Sequence, residues 1–215
     1  MSFKYVFNNY IKFPDTCNTL VFNDENVIII KDQFPKSVCH YLIIPKSKKF
    51  TNLNPIIAFD DLEFRELISI YITKAKELVK NDFLLRFQIK DVDDSNNNLF
   101  DIDDYITVGC HTIPSLVNLH IHVITNDFKS DRLKNRKHYN SFNTGFLIKF
   151  SEFPLSKDDF RRVNFKNENL IVDKYIKKTD LIYNGENFGN KFKLLKINID
   201  KNFNKKFYSL ENKAE

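Results

Sequence analysis

Cysteine is scarce in this chain. Cys17, Cys39 and Cys110 are odd in number and far apart, so they match neither a disulfide framework nor a metal-ligand spacing. Tryptophan is absent and glycine occurs only four times. Long apolar runs are missing too. Stretches such as "VIII" and "YLIIP" fall far short of the roughly 20 residues that cross a bilayer. The opening "MSFKYVFNNYIKF" has no continuous apolar centre, so a signal peptide is not expected there. These absences leave a soluble, intracellular protein with no membrane contact as the expectation.

What is present is phenylalanine, 22 times, within 42% hydrophobic and 28% charged residues, proportions typical of globular proteins. A length of 215 residues suits one ordinary domain with an appendage. The abundant Lys and Asn reflect compositional bias. The net charge is +5, and the chain from Ser151 onward holds 14 Lys+Arg against 10 Asp+Glu, +4 of that total. Such a tail suits an acidic partner, nucleic acid first, and equally suits a solvated surface.

Phe3, Val6, Phe7 and Tyr10 recur at helical spacing, which predicts a short amphipathic N-terminal helix within residues 1–15. "TLVFND" and "VIIIKD", parted by "NDEN", predict a hairpin, and "VCHYLIIP" a third strand closed by Pro45. A long helix is expected from about Ala58 to Asn81, capped by Asp60 or Asp61. Its buried stripe would be Phe64, Leu67, Ile68, Tyr71, Ala75 and Leu78. "FLLRFQI" predicts a strand and "KDVDDSNNNLFDIDD" an acidic loop. "YITVGC" and "NLHIHVIT" predict paired strands turned by "HTIPS". The order implies an α+β domain on an antiparallel sheet with one long helix, ending near Phe150. Residues 151–215 predict a small helical appendage. It would contain a helix in "SKDDFRRV" capped by Ser156 and a second in "KFKLLKINIDKNF" after the turn "NGENFGN". That second helix is expected to be held by Phe192, Leu194, Leu195 and Ile197. With so little apolar material the appendage must lean on the main domain.

The stretch "LVNLHIHVIT" carries the chemistry. On a strand, Asn118, His120 and His122 would share one face while Leu119, Ile121 and Val123 enter the core. A row of imidazoles suits three tasks. It can ligate zinc, with His111 or His40 as a third ligand. It can supply a nucleophile for phosphorus, or it can bind an anion.

The same residues carry a resemblance. "HTIPSLVNLHIHVIT" resembles the signature of the histidine triad (HIT) hydrolases, His-φ-His-φ-His-φ-φ. "GCHTIPSLVNLHIHVITNDFKSDRLKNRKHYNSFNT" is similar to the aprataxin branch in particular, and "VIIIKDQFPKSVCHYLIIP" resembles its nucleotide-side half. The match covers most of residues 16–150. It implies a HIT-like catalytic domain there and a DNA 5′-adenylate hydrolase that removes AMP from abortive ligation intermediates, acting in single-strand break repair. By resemblance His120 falls on the nucleophile that forms a His–AMP intermediate. His122 falls on a phosphate-side partner, and His111 on the group that assists the leaving DNA phosphate. Ser115 lies in the same phosphate turn. Asp24 and Asp32 match positions near the adenosine, Lys36 and His40 basic groups near the scissile phosphate, and Lys137 and His138 the segment meeting DNA. The chain departs from the pattern at Asn118, where the first triad histidine belongs. There Asn is expected to shape the site without making the bond.

"FKSDRLKNRKH" holds Lys129, Arg132, Lys134, Arg136 and Lys137 against Asp131, a candidate DNA-backbone contact. The tail beyond residue 150 contains neither Cys nor His. The resemblance would put zinc ligands at Ile182, Gly185, Asn198 and Asn202, so no zinc and no other cofactor is expected. The expected partners are adenylated DNA 5′ ends, with AMP as product and the chain a monomer. The expected location is the nucleus first, with cytoplasm and mitochondrion as alternatives. Two other readings stand beside this one: a general HIT nucleotide hydrolase on small adenylates, and a DNA-end-binding protein without catalysis.

Overall fold

The computed structural model describes residues 3–90 and 101–210. Most of the acidic loop expected after Ile89 lies outside the described residues. A single 3₁₀ turn, Phe3–Tyr5, leads into α1 (Val6–Lys12). The strands β1 (Leu20–Asn23), β2 (Val27–Lys31) and β3 (His40–Pro45) follow. A short α2 (Pro55–Ala58) precedes the long α3 (Leu62–Arg86), after which β4 (Phe87–Ile89), β5 (Ile106–His111) and β6 (Ile121–Thr125) appear. Then come α4 (Arg136–Asn143) and β7 (Leu147–Lys149). Six strands form one antiparallel sheet in the order β1-β2-β3-β6-β5-β7. Among the described residues no helix is long and apolar enough to cross a membrane.

Alternation along the strands gives the sheet two unlike faces. Val27, Ile29, Tyr41, Ile43, Ile121 and Val123 point to α3. They bury its Phe64, Ile68, Tyr71, Ala75, Val79 and Phe83 in one core. Each large apolar side chain so buried contributes about 1.5–3 kcal/mol. The opposite face carries Ile28, Ile30, Leu42 and Ile44, covered by Phe7 of α1, and beside them the histidines.

Several expectations shift. The long helix starts at Leu62 because Asp61, whose side chain accepts from the Phe64 amide at 3.0 Å, caps it. Ala58 ends the separate α2, capped by Asn54. The helix absorbs the first half of "FLLRFQI", since Phe83 continues its buried stripe, and only Phe87–Ile89 is strand. Leu67 and Leu78 flank that core partly buried, while Val79 and Phe83 fill it.

The tail contains more structure than expected. After the 3₁₀ turn Phe150–Glu152 come α5 (Phe160–Asn164) and α6 (Glu168–Val172), the latter running into a π-helical turn, Asp173–Lys177. Asp159 caps α5 by accepting from the Arg161 amide, and Ser156 does not. "NGENFGN" lies across a hairpin of β8 (Leu181–Tyr183) and β9 (Glu186–Gly189). Its two turn residues, Asn184 and Gly185, have φ of 50° and 79°, the left-handed pair a tight two-residue hairpin requires. Then α7 (Phe192–Lys206) packs back on the hairpin, and β10 (Phe207–Ser209) pairs with β4. Leu195, Ile199 and Phe203 are the buried residues of α7, with Phe192 partly buried. Leu194 and Ile197 face outward, half exposed, because the face of α7 that docks is set by the 195/199/203 stripe. Leu181, Phe188, Leu195 and Ile199 join Ile124, Leu133, Tyr139 and Leu147 in one apolar cluster. The appendage does lean on the domain.

Candidate active site

His120 and Asn118 lie just before β6, outside its ladder, and His122 is the second residue of the strand. Leu119, Ile121 and Val123 enter the α3-side core, so the alternation expected from sequence holds although pairing begins only at Ile121. Leu42 of β3 and Gly109 of β5 sit opposite His122 in register. A Cβ on Gly109 would strike the Ile148 carbonyl of β7, so only glycine lets β7 approach there. His40 lies one diagonal step from His122, and His111 closes β5 on the same face. His111, His120 and His122 stand with ring centroids 4.5–5.0 Å apart in sequence of contact. Phe142 of α4 packs edge-on or tilted against His40, His111 and His122.

These rings line a cavity of about 520 Å³, inside the range of roughly 300–1,000 Å³ usual for small-molecule sites. α1 closes one side with Val6, Phe7 and Tyr10. Ile30, Leu42 and Phe34 add apolar lining, and Asp32, Lys36, Ser115, Ser141, Lys137 and His138 polar lining.

Hydrogen bonds hold the rings. His120 Nδ1 lies 2.8 Å from the Asn118 carbonyl oxygen, an acceptor only, so Nδ1 carries the hydrogen and Nε2 carries the lone pair. His40 Nδ1 lies 3.3 Å from both the Lys36 amide and a carboxylate oxygen of Asp32, and His40 Nε2 shares a hydrogen bond of 2.9 Å with His122 Nδ1. His122 Nε2 is buried and has no hydrogen-bond partner among the described residues. His111 Nε2 shares that condition. Burial holds His111, His120 and His122 below the ordinary imidazole range, and pushes His40 down to about 4, because a charged ring loses its hydration there.

Other site positions fall differently. Asp32 lines the cavity, accepts from the Phe34 amide at 2.7 Å and stands 3.3 Å from His40 Nδ1. Asp24 does not belong to the site: it accepts from the Asn26 and Val27 amides and from the Tyr71 hydroxyl, closing the β1–β2 turn onto α3. His40 lines the cavity too; burial disfavours its charged form, and its Nε2 is bonded to His122 Nδ1. Lys36, Lys137, His138 and Ser115 line the cavity. Burial lowers His138 as well. Asn118 is buried and its side chain stays out of the cavity, bonding Asn8 Oδ1 at 2.9 Å and Thr51 Oγ1 at 3.1 Å. Its carbonyl is the part that meets the site.

The basic segment divides. Arg132 lies over the Phe34 ring at the cavity mouth and Lys134 is exposed. Lys129 and Arg136 are committed to the tail. The first bonds Asn204 Oδ1 at 2.6 Å, the second the Thr179 carbonyl at 2.5 Å. Neither is placed as a free phosphate contact. Sequence reasoning did not single out Phe7 and Phe142, which pack on the histidine rings, or Asn8 and Thr51, which bond the Asn118 side chain from distant segments.

Two donor sets bear on metals. Asp32, His40 and His122 place one possible ligand atom each within 4.8 Å of one another, and His40 Nε2 and His122 Nδ1 are bonded to each other. The four tail positions do not fit zinc. Ile182 and Gly185 offer no donor, and Asn202 Nδ2 donates to Asn198 Oδ1 at 2.5 Å across one helical turn. Apolar packing holds this unit.

An antiparallel sheet with a buried imidazole cluster at the end of its central strands defines a histidine triad fold. Comparison with known proteins agrees. The family described as scavenger mRNA decapping enzyme C-term binding matches residues 4–138. An aprataxin-like protein of Saccharomyces cerevisiae is 39% identical over 220 residues, spanning 96% of this chain and 99% of that protein. One from Schizosaccharomyces pombe is 28% identical over 209 residues, covering 94% and 82%. A crystal structure of the aprataxin ortholog Hnt3 in complex with DNA superposes with a TM-score of 0.72 at 25% identity, covering 94% of each chain. Hnt3 in complex with DNA and guanosine gives 0.71 at 26%, covering 94% and 95%. The chain belongs to the aprataxin-like branch of the histidine triad family.

Proposed function

We propose that this chain hydrolyses DNA 5′-adenylates, releasing AMP through a covalent intermediate on His120. The observation that carries the reading is the fixed tautomer of that ring: a carbonyl holds Nδ1–H, so the Nε2 lone pair is free toward a cavity of nucleotide size. In an adenylated end a pyrophosphate joins AMP to the DNA 5′-phosphate. His120 Nε2 attacks the adenylyl phosphorus, the bond to the bridging oxygen breaks, and the DNA phosphate leaves. The ring keeps its Nδ1 proton and becomes cationic, and the Asn118 carbonyl stabilises that charge. Water then cleaves the P–N bond, yielding AMP and the original neutral ring.

His122 Nε2–H meets the phosphoryl oxygens as charge grows on them. His111 Nε2, drawn to a proton by the incoming anion, donates to the leaving phosphate. Lys36 and Lys137 add positive charge to the cavity lining. Ile30, Leu42 and Phe34 offer the base an apolar wall. No metal takes part in these steps, and the tail acts without zinc as a support beside the DNA strand. The DNA-bound Hnt3 structures support nucleic acid as the substrate's other half, and Lys137 in the cavity lining, with the exposed Lys134 and Arg132 near it in sequence, offers positive charge to a DNA backbone.

The test compares AMP release from an adenylated nicked duplex and from a small AMP conjugate, with wild type and His120→Ala. Labelled AMP trapped on wild type alone, with a strong preference for DNA, is the expected result. Equal turnover of both substrates would make the chain a general nucleotide hydrolase, and no trapped label would make it a binding protein.

A further inference from the structure

The N-terminal helix touches the catalytic segment three times. The Val117 amide donates to the Lys4 carbonyl at 3.1 Å. Asn118 Nδ2 donates to Asn8 Oδ1 at 2.9 Å. The Phe7 ring meets His120 edge-on, centroids 5.4 Å apart. Asn8 is itself exposed, yet it takes one of the two bonds that hold the buried Asn118 side chain. The second goes to Thr51, whose carbonyl also accepts from the Leu119 amide at 2.6 Å. Both bonds fix the residue whose carbonyl orients His120. Asn118 Oδ1 has no partner among the described residues, and exchanging the amide's two ends would leave the nitrogen orphaned instead. The side chain is therefore held by its Nδ2 bonds alone, and losing one of two frees residue 118 to turn.

We infer that Asn8 is a positioning residue for His120. It acts through Asn118, so that α1 sets the tautomer and aim of the nucleophile as well as walling the cavity. This rests on the reading of His120 as nucleophile. A helix that only binds DNA would affect substrate affinity. One that positions the ring affects the chemical step, because the Nε2 lone pair depends on Nδ1–H staying on the Asn118 carbonyl.

The experiment uses the full chain as wild type, Asn8→Ala and Asn8→Asp, the last keeping an oxygen acceptor for Asn118 Nδ2. Two readouts are taken. The first is kcat and KM on an adenylated nicked duplex. The second is the ¹⁵N shift pair of the His120 ring in the free protein, assigned by its loss in His120→Ala. Asn8→Ala is expected to lower kcat about fivefold, the worth of roughly one hydrogen bond, with KM nearly unchanged. Its His120 signals should move toward a mixture of tautomers, and Asn8→Asp should restore both. An unchanged ring signal, or an effect confined to KM, overturns the inference. If wild type releases no AMP, the proposed function fails by itself while the ring signal still decides the role of Asn8.

Discussion

His40 Nε2 stands 2.9 Å from His122 Nδ1, and the bond between them runs from β3 to β6 beneath the cavity floor. It makes His40 the group that decides which nitrogen of His122 presents a proton to substrate. Replacing His40 by Ala leaves His122 Nδ1 without its partner, so the tautomer of His122 is no longer enforced. The expected result is a fall in kcat on the order of tenfold. His40→Gln, whose amide can still donate toward His122, should retain more. Steady-state rates on adenylated DNA check both.

Acid should silence the enzyme only below the ordinary histidine range. Burial disfavours the charged ring, so His120 keeps its lone pair to a lower pH than the usual value of about 6.5. The acid limb of kcat/KM should accordingly fall below 6.5, and a limb at or above it would contradict the buried, neutral nucleophile. Stability follows the same sign. The unfolded chain takes up protons at these rings before the folded chain does. Their contribution is therefore full above about 6.5 and is lost as pH falls through the depressed values, about 4 for His40.

Asp127 runs the other way. It is buried, its Oδ1 accepts from the Val38 and Lys129 amides at 2.9 and 2.8 Å, and burial pushes its carboxyl up to about 6. Its contribution is full below the ordinary value near 3.8 and is lost as pH rises through about 6. Asp127→Asn keeps one oxygen for both amides and sheds the buried charge. At pH 7.5 it should stay within about 1 kcal/mol of wild type, whereas Asp127→Ala should lose about 2–4 kcal/mol. Urea unfolding at pH 5 and 7.5 decides; equal losses in the two variants would refute the argument.

Lys137 and Arg136 are adjacent and should behave differently. Lys137 lines the cavity, so Lys137→Ala should weaken DNA binding and lower the slope of log Kd against log salt by about 1. Arg136 is turned to the Thr179 carbonyl, with a buried Nε that has no partner among the described residues. Arg136→Ala should lower the melting temperature with little change in that slope.

The sequence carried the sheet, the long helix and the histidine face because each rests on local periodicity. The run Val27–Ile30 is apolar throughout and reads as a strand buried on both faces, as it is. Asp61 as cap is equally local. What escaped depends on contacts between distant segments. Asn118 gives no sign of Asn8 or Thr51, and "LKNRKH" gives no sign that Arg136 turns inward while Lys137 does not. Asp24 looked like Asp32 in sequence, yet one closes a hairpin and the other faces the cavity. The β8–β9 hairpin was hidden by its shortness, since strands of three and four residues leave almost no alternation to read.

The pairing of β10 with β4 has a consequence for biosynthesis. Phe203 and Phe207 fill the same core as Phe83, and Phe207 faces Ile89 across the ladder. A nascent chain that has emerged only through the histidines lacks part of the interior on which their strands rest. Completion of the catalytic half must therefore wait until Phe207 has been made. A premature stop well downstream of His122 would then cost the cell the whole enzyme, although every reactive group had already been translated.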